Sequence, residues 1–414
     1  MIPSTGPNGT PTPPSSLPST NQGSPISVGG VVYGWSDALG RYVAQSPLTR
    51  FPLSKFARKV ANLRSGASAA NIKLCFDGDS HSAGVGCGSG GGSYNLNNAA
   101  SYTPSAIVGR LLAAQGFNVY ADSWFGAKGT GIPLNDYDPR FAFTGTWTAR
   151  QPVGASLGSG VYGSANIGDT LVFAPNGAWD TCDVYTIRDT SLMGAISIAA
   201  SGATTQNVSF GGTSGWIKTT LTKATPSTGA ITITVTTGMD IYAGVNGIVC
   251  KDSTKPGLEI LNTAAGGATW AMNNKTTRTY SHGSARTTLA PDVLFVDMLH
   301  NDLKANTPLA TWLASWQTFV NTHKATADII VYVGFPGSDA RFVSTMPAWI
   351  DALRAQLAVD GINLFDWRNL YGQTYADALA AGLTNDVDHG NKPASSLRAS
   401  KMSQDLLSAI GTYW

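Results

Sequence analysis

Three short segments of the chain carry side chains that together could transfer an acyl group. Ser80 stands in a Gly-Asp-Ser-His sequence directly after an apolar run, and Asn301 follows a second apolar run. Asp386 and His389 are three positions apart near the C-terminus. A serine hydroxyl becomes nucleophilic when a base takes its proton, and that base needs an acid to fix its tautomer. His389 and Asp386 could supply both, while the amide of Asn301 could stabilise the oxyanion that forms.

Each of these residues also has an ordinary structural explanation. Ser80 in a glycine-rich turn and Asn301-Asp302 ahead of a helix are typical helix caps. His389 taken alone is typical of a surface histidine or of a hydrogen-bonded core histidine. Their joint occurrence at the ends of strands favours chemistry over these explanations.

Apolar runs and helical periodicity indicate the elements that must bring these residues together. Buried strands are predicted at 72–76, 293–298, 329–333 and 362–365. Helices are predicted at 105–115, 309–320, 349–359 and 395–410. Strands that alternate with helices predict an α/β fold, with a parallel sheet and helices on both of its faces. In such sheets functional groups lie beyond the carboxyl ends of the strands, where Ser80 and Asn301 are expected.

The spacing of apolar residues along the chain changes between about residues 144 and 255. Residues 230–235 alternate apolar and polar, as do shorter pieces near 170–173 and 194–198. This alternation predicts half-buried antiparallel strands, and hence an all-β module that interrupts the α/β domain. The predicted organisation is a flexible Pro/Ser/Thr/Gly-rich leader at 1–30, an α/β part at 31–140, the β-module at 141–256 and a second α/β part at 257–414. A short hairpin is expected at 31–44.

Composition argues against several classes of protein. The 414 residues carry a net charge of +2, from 27 basic and 25 acidic side chains, which argues against a nucleic-acid binder. The longest apolar run, at 329–335, is far shorter than the ~18 residues that a membrane span needs. No spacing of cysteines or histidines is typical of a metal site, and no metal or organic cofactor is expected. Cys182 and Cys250 are expected either to pair or to stay buried as free thiols.

The candidate residues resemble the sequence blocks of the SGNH, or GDSL-type, hydrolase superfamily. The resemblance covers about residues 70–130 and 256–414 and implies a three-layer αβα, flavodoxin-like fold. It implies that Ser80 is the nucleophile and that Asp386 and His389 complete a catalytic triad. It further implies an oxyanion hole formed by the backbone amide of Ser80, the amide of a glycine and the side chain of Asn301.

Two segments compete for the glycine of that oxyanion hole, 126–130 and 261–269. The second segment carries the Asn-x-x-x-x-Gly-Ala-Thr pattern of the family's second block. We therefore assign Gly267, with Gly266 and Gly129 as alternatives. This assignment places the β-module between the first and second blocks, which is similar to the peptidoglycan O-acetylesterase branch of the superfamily. That branch has an inserted carbohydrate-binding-like, jelly-roll-like β-sandwich, and its first block also reads Gly-Asp-Ser-His.

Other residues near the blocks carry weaker expectations. The third block usually reads Gly-x-Asn-Asp, but Leu299 stands in the glycine position, which changes the local backbone approach and leaves Asn301 in place. Asp388 has the wrong spacing for the triad and is expected to be a solvated neighbour. His81 is expected to pack or to line the substrate site. Aromatic side chains of the β-module could stack on sugars, although core positions are the commoner explanation: Trp147, Trp179, Tyr185, Trp216 and Tyr242.

These inferences converge on a carbohydrate O-acetylesterase that acts on capsule, exopolysaccharide or peptidoglycan through an acetyl-serine intermediate. The expected partner is an acetylated polysaccharide, without nucleic acid or membrane. Residues 1–36 carry no charge and show no secretory signal, so we expect an extracellular or virion-associated chain. The expected context is a bacteriophage tail-associated deacetylase, as a homo-oligomer such as a trimer or within a virion assembly. The alternatives are a lipid or aryl esterase of the same fold, a non-catalytic glycan-binding tail protein, and acetyl transfer to another sugar instead of water.

Overall fold

The computed structural model describes residues 53–88, 96–128, 133–150, 156–240 and 243–411, and the backbone alone at 26–28, 31–36 and 41–45. Its β-strands are β1 (Ile26–Val28), β2 (Val31–Ser36), β3 (Arg41–Gln45), β4 (Ile72–Gly78), β5 (Val119–Tyr120), β6 (Ser123–Phe125), β7 (Phe141–Thr144), β8 (Thr148–Arg150), β9 (Val161–Gly163), β10 (Thr170–Phe173), β11 (Trp179–Arg188), β12 (Ala195–Ala200), β13 (Gln206–Ser209), β14 (Gly215–Ser227), β15 (Ile231–Thr237), β16 (Val245–Lys251), β17 (Leu258–Asn262), β18 (Val293–Asp297), β19 (Asp328–Val333) and β20 (Leu364–Asp366). Its α-helices are α1 (Ser54–Arg64), α2 (Ser80–Ala83), α3 (Pro104–Ala114), α4 (Leu134–Tyr137), α5 (Trp270–Asn273), α6 (His282–Leu289), α7 (His300–Lys304), α8 (Leu309–His323), α9 (Arg341–Ser344), α10 (Met346–Val359), α11 (Arg368–Tyr371), α12 (Tyr375–Ala380) and α13 (Lys392–Ala409). Short 3-10 helices lie at Ala99–Tyr102 and Leu157–Ser159.

A parallel sheet forms the centre of the α/β part, in the order β20-β19-β18-β4-β17-β5. Successive side chains of its strands enter two separate buried clusters, so that Leu74 and Phe76 belong to one and Cys75 to the other. Helices α1, α3 and α13 contribute to the first cluster, and helices α8 and α10 to the second. The predicted parallel sheet with helices on both faces is therefore confirmed.

The register of this sheet aligns the ends of three neighbouring strands. Asp297, the last residue of β18, lies opposite Gly78, and Asn262, the last residue of β17, lies opposite Phe76. Because all three strands are parallel, the loops that follow β4, β17 and β18 leave the sheet at the same edge. Those loops carry the three sequence blocks.

Two antiparallel sheets hold the strands of the predicted β-module. One has the order β13-β12-β15-β10-β7, and the other has the order β14-β11-β16-β9-β8, with β6 also paired to β16. The predicted alternation is present in β15, since Ile231, Ile233 and Val235 are buried and the threonines between them are more exposed. Because β6 pairs with β16, this sheet includes residues ahead of 141, and the exact module boundary stays a prediction.

Cys182 and Cys250 lie directly opposite each other on β11 and β16. Their sulfur atoms are 3.3 Å apart, and both side chains are buried free thiols. Two states were expected for this pair, a disulfide or buried free thiols, and the structure has the buried free thiols.

The strands β1, β2 and β3 form a small antiparallel sheet. The predicted hairpin at 31–44 is present, and β1 adds a strand from within the residues expected to be a leader. The remainder of that leader lies outside the described residues. Within the part of the chain that the structure describes, no helix has the length and apolarity to cross a membrane. Across the same residues, no three His, Cys, Asp or Glu side chains are grouped as metal ligands.

Candidate active site

The Gly-Asp-Ser-His sequence forms the sharp turn from β4 into α2. Gly78 has a φ of +140°, and a Cβ atom there would lie 2.5 Å from the carbonyl oxygen of Asp297, so the turn requires glycine. Asp79 caps α2 by accepting a hydrogen bond from the backbone N–H of His81 at 3.0 Å. Ser80 is therefore fixed as the first residue of α2, beyond the carboxyl end of a central strand.

Ser80, His389 and Asp386 are joined by hydrogen bonds. The Nε2 atom of His389 lies 3.0 Å from the Oγ of Ser80, and its Nδ1 lies 2.9 Å and 3.0 Å from the two carboxylate oxygens of Asp386. Ser80 and His389 are 5% and 8% exposed, so the serine hydroxyl and imidazole meet in a largely water-excluded place. In this arrangement His389 can take a proton from Ser80 while Asp386 accepts from Nδ1.

The loop that carries Asp386 and His389 is held by its own hydrogen bonds. The Oδ1 atom of Asp386 also accepts from the backbone N–H groups of Asp388 and His389, both at 2.8 Å. Burial would raise the pKa of Asp386, but the hydrogen bonds and the nearby His389 outweigh burial and lower that pKa. Gly86, with a φ of +89°, lets the chain after α2 approach this loop, because a Cβ there would lie 2.7 Å from the Gly390 carbonyl oxygen.

The segment after β17 packs against the nucleophile turn and against Asn301. The backbone N–H of Ala265 donates to the Gly78 carbonyl at 3.1 Å. The Nδ2 atom of Asn301 donates to the Ala268 carbonyl at 3.0 Å. The segment thus lies between the loops of β4 and β18, and Gly267 is its exposed tip with a φ of +74°.

The two neighbouring glycines of this segment differ in how their amides are used. The N–H of Gly266 donates to the carbonyl of Lys128 at 2.7 Å. Within the described residues, the N–H groups of Gly267 and Ser80 donate to no protein acceptor. Geometry therefore favours Gly267 over Gly266 as a donor to a ligand, while Gly129 lies outside the described residues.

The leucine at the glycine position of the third block has ordinary backbone geometry. Leu299 has a φ of −148° and is buried, so its position needs no glycine. The next acidic residue, Asp302, accepts from the backbone N–H of Trp270 at 3.0 Å and fixes the start of α5. Asn301 and Asp302 thus hold two successive points of the segment that carries Gly267.

Asp388, expected to be a solvated neighbour, is partly exposed and also forms ion pairs. Its carboxylate lies 2.6 Å from the Nζ of Lys304 and 3.3 Å from the Nε2 of His300. His300 in turn lies 3.4 Å through Nδ1 from the Nε2 of His81. His81 is buried between His300, Phe335 and His389, so it packs beneath the site. The only sequence signal for His300 is its place directly before Asn301.

Ionisable side chains are also buried around the end of β4, and the sequence did not predict their contacts. The Asp77 carboxylate accepts from Arg286 at 2.6 Å and lies 3.0 Å from the Nε2 of His282. Burial would raise the pKa of Asp77, but these two partners hold it well below its usual range. Burial and the charge of Asp297 raise the pKa of Asp79 well above its usual range. Both side chains support the nucleophile turn, since Asp77 accepts from the backbone N–H of Gly78 and Asp79 from that of His81.

The aromatic side chains considered as sugar platforms are core residues wherever the structure describes them. Trp147, Trp179, Tyr185 and Trp216 are all at most 9% exposed. Tyr185 and Trp216 stack on each other with ring centroids 4.2 Å apart. Tyr242 lies outside the described residues.

Comparison with known proteins gives a fold but no family. No protein-family model matches the chain, and no curated protein matches it significantly by sequence. Among solved structures, it is similar to a peptidoglycan O-acetylesterase, with a TM-score of 0.58 at 15% identity, over 87% of this chain and 97% of that one.

Two other solved structures are more distant. A family two carbohydrate esterase from Cellvibrio japonicus matches with a TM-score of 0.28 at 11% identity, over 66% of this chain and 96% of that one. An acetylxylan esterase from Geobacillus stearothermophilus matches with a TM-score of 0.28 at 16% identity, over 38% of this chain and 74% of that one. These two scores are too low to carry an argument. The similarity to the peptidoglycan O-acetylesterase shows that the chain shares its mixed α/β architecture.

Proposed function

We propose that the chain is a serine esterase that removes O-acetyl groups from a carbohydrate. The observation that carries this proposal is the hydrogen-bonded chain from Ser80 through His389 to Asp386, with the free amide of Gly267 and the side chain of Asn301 beside it. A nucleophile, a base, an orienting acid and oxyanion donors are the parts that acyl transfer requires.

The proposed reaction follows from the positions of these groups. The Oγ of Ser80 bonds to the acetyl carbonyl carbon while its proton passes to Nε2 of His389. The N–H groups of Ser80 and Gly267 and the amide of Asn301 stabilise the oxyanion. The bond from carbon to the sugar oxygen then breaks, and His389 gives its proton to that oxygen. Water attacks the acetyl-serine with His389 as base, and acetate leaves as Ser80 regains its proton.

The carbohydrate part of the proposal comes from the neighbouring structure. One solved structure that shares this fold over most of the chain is a peptidoglycan O-acetylesterase. We infer an acetylated polysaccharide of capsule, exopolysaccharide or cell wall as the substrate, and an extracellular or virion-associated place of action. A phage-tail deacetylase that assembles as a homo-oligomer stays our proposed context. The β-rich segment at 141–256 is proposed as the inserted module, and its described tryptophans are too buried to serve as sugar platforms.

The test is acetate release from acetylated glycans and from p-nitrophenyl acetate by the wild type and by Ser80→Ala. We expect a loss of kcat of ~10³-fold or more, as nucleophile removal causes in comparable triads. The matched control is Ser396→Ala on α13, which is expected to keep full activity. The Ser396 hydroxyl donates to the Lys392 carbonyl of its own helix. Equal rates for Ser80→Ala and wild type would refute the serine mechanism. Faster turnover of long-chain lipid esters than of acetyl sugars would refute the carbohydrate substrate.

A further inference from the structure

A buried lysine lies under the loop that carries Gly267. The Lys128 side chain is 2% exposed, and its Nζ lies 2.6 Å from the carbonyl oxygen of Asn262 and 3.4 Å from the carbonyl oxygen of Ala264. The same Nζ lies 3.4 Å from the side-chain oxygen of Asn262. One ammonium group therefore has three oxygen acceptors, all on the chain that runs from β17 to Gly267.

The backbone of the same residue holds the loop from a second side. The carbonyl of Lys128 accepts from the N–H of Gly266 at 2.7 Å, and its N–H donates to the Gly158 carbonyl at 2.7 Å. The N–H of Gly158 donates in turn to the Thr263 carbonyl at 3.0 Å. Lys128 has a φ of +61°, which an L-residue adopts only when its surroundings impose it. A non-glycine residue is thus held in a strained conformation where both its backbone and its side chain contact this loop.

We propose that Lys128 is a positioning residue, which holds the loop at 262–268 so that the amide of Gly267 faces the developing oxyanion. The inference rests on the proposed function for its catalytic consequence, and on the contacts of Lys128 alone for its structural part. While the N–H of Gly266 is bound to the Lys128 carbonyl, the next amide along the chain, that of Gly267, has no acceptor among the described residues and is left for the substrate. A displacement of this donor by about 1 Å is enough to cost roughly 100-fold in rate.

The charge of the lysine decides how many of the three acceptors it can serve. A protonated ammonium has three hydrogens, whereas a neutral amine has two and turns a lone pair toward an oxygen. Burial lowers the pKa of Lys128 to about 7, against the opposing charges of Asp138 and Asp77. Opening that exposes this lysine to water restores its ordinary pKa and takes up a proton, so opening of the loop becomes less favourable as the pH rises above about 7.

Two other ionisable groups near Lys128, Cys75 and Asp77, keep their charge state across this range. Cys75 on β4 stays a neutral thiol, because burial raises its pKa to about 12. Asp77 on the same strand stays an anion paired with Arg286. The lysine borders a small cavity whose polar lining includes Ser105, Ser123, Asn262, Asp138, Tyr137 and Arg140. Of Lys128, Cys75 and Asp77, Lys128 is therefore the group whose protonation changes near neutral pH.

The experiment compares the wild type with Lys128→Met and Lys128→Arg, and uses Lys73→Met as the matched control. Lys73 also donates to a carbonyl, that of Leu289, but its strand position is away from the site. We expect Lys128→Met to lower kcat on p-nitrophenyl acetate at pH 6.5 by about 10- to 100-fold, with KM changed less than about 3-fold. Lys128→Arg, which keeps the charge, is expected to recover part of that loss. The ratio of wild-type to Lys128→Met kcat should grow as the pH rises from about 7 to 9, because opening of the wild-type loop then requires the uptake of a proton.

Hydrogen exchange of the 262–268 peptide supplies a readout that does not need activity. We expect faster exchange in Lys128→Met than in wild type at pH 6.5, and no change in Lys73→Met. If the wild type releases no acetate and this peptide still exchanges faster in Lys128→Met than in wild type, the positioning role holds and the esterase proposal fails. Unchanged exchange together with a constant kcat ratio across pH overturns the inference, whatever the acetate assay shows. If neither lysine variant folds, exchange of this peptide in the wild type alone still decides: protection that increases above about pH 7, after correction for the intrinsic rate, supports the inference, and its absence refutes it.

Discussion

Replacement of Asp386 by asparagine tests the proposed proton path without removing the loop's support. The Oδ1 atom of Asp386 accepts from the backbone N–H groups of Asp388 and His389, so an asparagine must keep its oxygen there. Its NH₂ group then stands where Oδ2 was, 3.0 Å from the Nδ1 of His389 and 3.3 Å from the Nδ2 of Asn385. This NH₂ group can donate to the lone pair of an unprotonated Nδ1, and this contact competes with the remaining Oδ1, which lies 2.9 Å from Nδ1 and can accept from it.

The consequence is a wrong tautomer at the serine. If Nδ1 accepts, the proton of neutral His389 sits on Nε2, which lies 3.0 Å from the Ser80 hydroxyl and can no longer take its proton. In a comparable triad this change costs about 10⁴-fold in kcat. At 1.36 kcal/mol for each tenfold, that is a loss of about 5.4 kcal/mol of transition-state stabilisation. The fold should survive, because both backbone hydrogen bonds to the side chain remain.

The assay is kcat on p-nitrophenyl acetate and on an acetylated glycan, with thermal unfolding as the check on folding. Asp388→Asn is the control, since it makes the same chemical change two residues away and disturbs only the pair with Lys304 and His300. We expect Asp388→Asn to keep at least about one-tenth of wild-type kcat, in line with the small value of partly exposed ion pairs. If Asp386→Asn keeps as much activity as Asp388→Asn, the assignment of Asp386 as the orienting acid is refuted.

Three further predictions follow from single contacts. Asn301→Ala should lower kcat about 100-fold with little change in KM, by steady-state kinetics, since an oxyanion donor acts in the transition state; a rise in KM alone would contradict this role. Gly78→Ala should lower the free energy of unfolding in urea by about 1–3 kcal/mol, because its Cβ would lie 2.5 Å from the Asp297 carbonyl oxygen; Gly361→Ala, with a φ of +68° and open space around the Cβ, is the milder control. Between about pH 7 and pH 10.4 the Lys128 side chain binds more protons in the unfolded chain than in the folded chain, so the free energy of unfolding of wild type should rise relative to that of Lys128→Met by up to ~1.4 kcal/mol per pH unit. Urea unfolding at both ends of that range measures this change, and a difference in unfolding free energy that stays constant with pH would show that this lysine titrates normally.

Local patterns predicted the parallel sheet well because its strands and helices are buried in a regular way. Helix α8 begins at Leu309 as expected, since Trp312, Trp316 and Phe319 recur at the spacing of one helical face and all three are buried. The strand β17 was harder to place. Its residues pair with residues of β4 that lie 186 positions earlier, as Leu258 does with Ile72, and no local pattern states which strand a distant apolar run will join.

Residue type and spacing also predicted that Ser80, Asp386 and His389 act together, but they could not show which side chain each carboxylate near His389 contacts. Asp386 and Asp388 are chemically identical and both close to His389 in sequence. The path of the backbone decides between them, because it turns one carboxylate to the imidazole and the other to Lys304. That path depends on contacts with residues far away in the chain, such as the Val387 carbonyl that accepts from the N–H of Ser338.

The two segments that competed for the oxyanion glycine prove to be parts of one structure. The segment with Gly267 presents an amide without a protein acceptor, while the segment at 126–128 lies beneath it and holds it through Lys128. A sequence pattern favours one glycine over another, but it cannot show that the rejected segment supports the chosen one, because the contact spans 134 positions. If Lys128 holds this loop as proposed, strands that the chain places before and after the β-module must fold together before the oxyanion site exists. Changes at Lys128 should then alter turnover while the Ser80–His389 hydrogen bond stays intact.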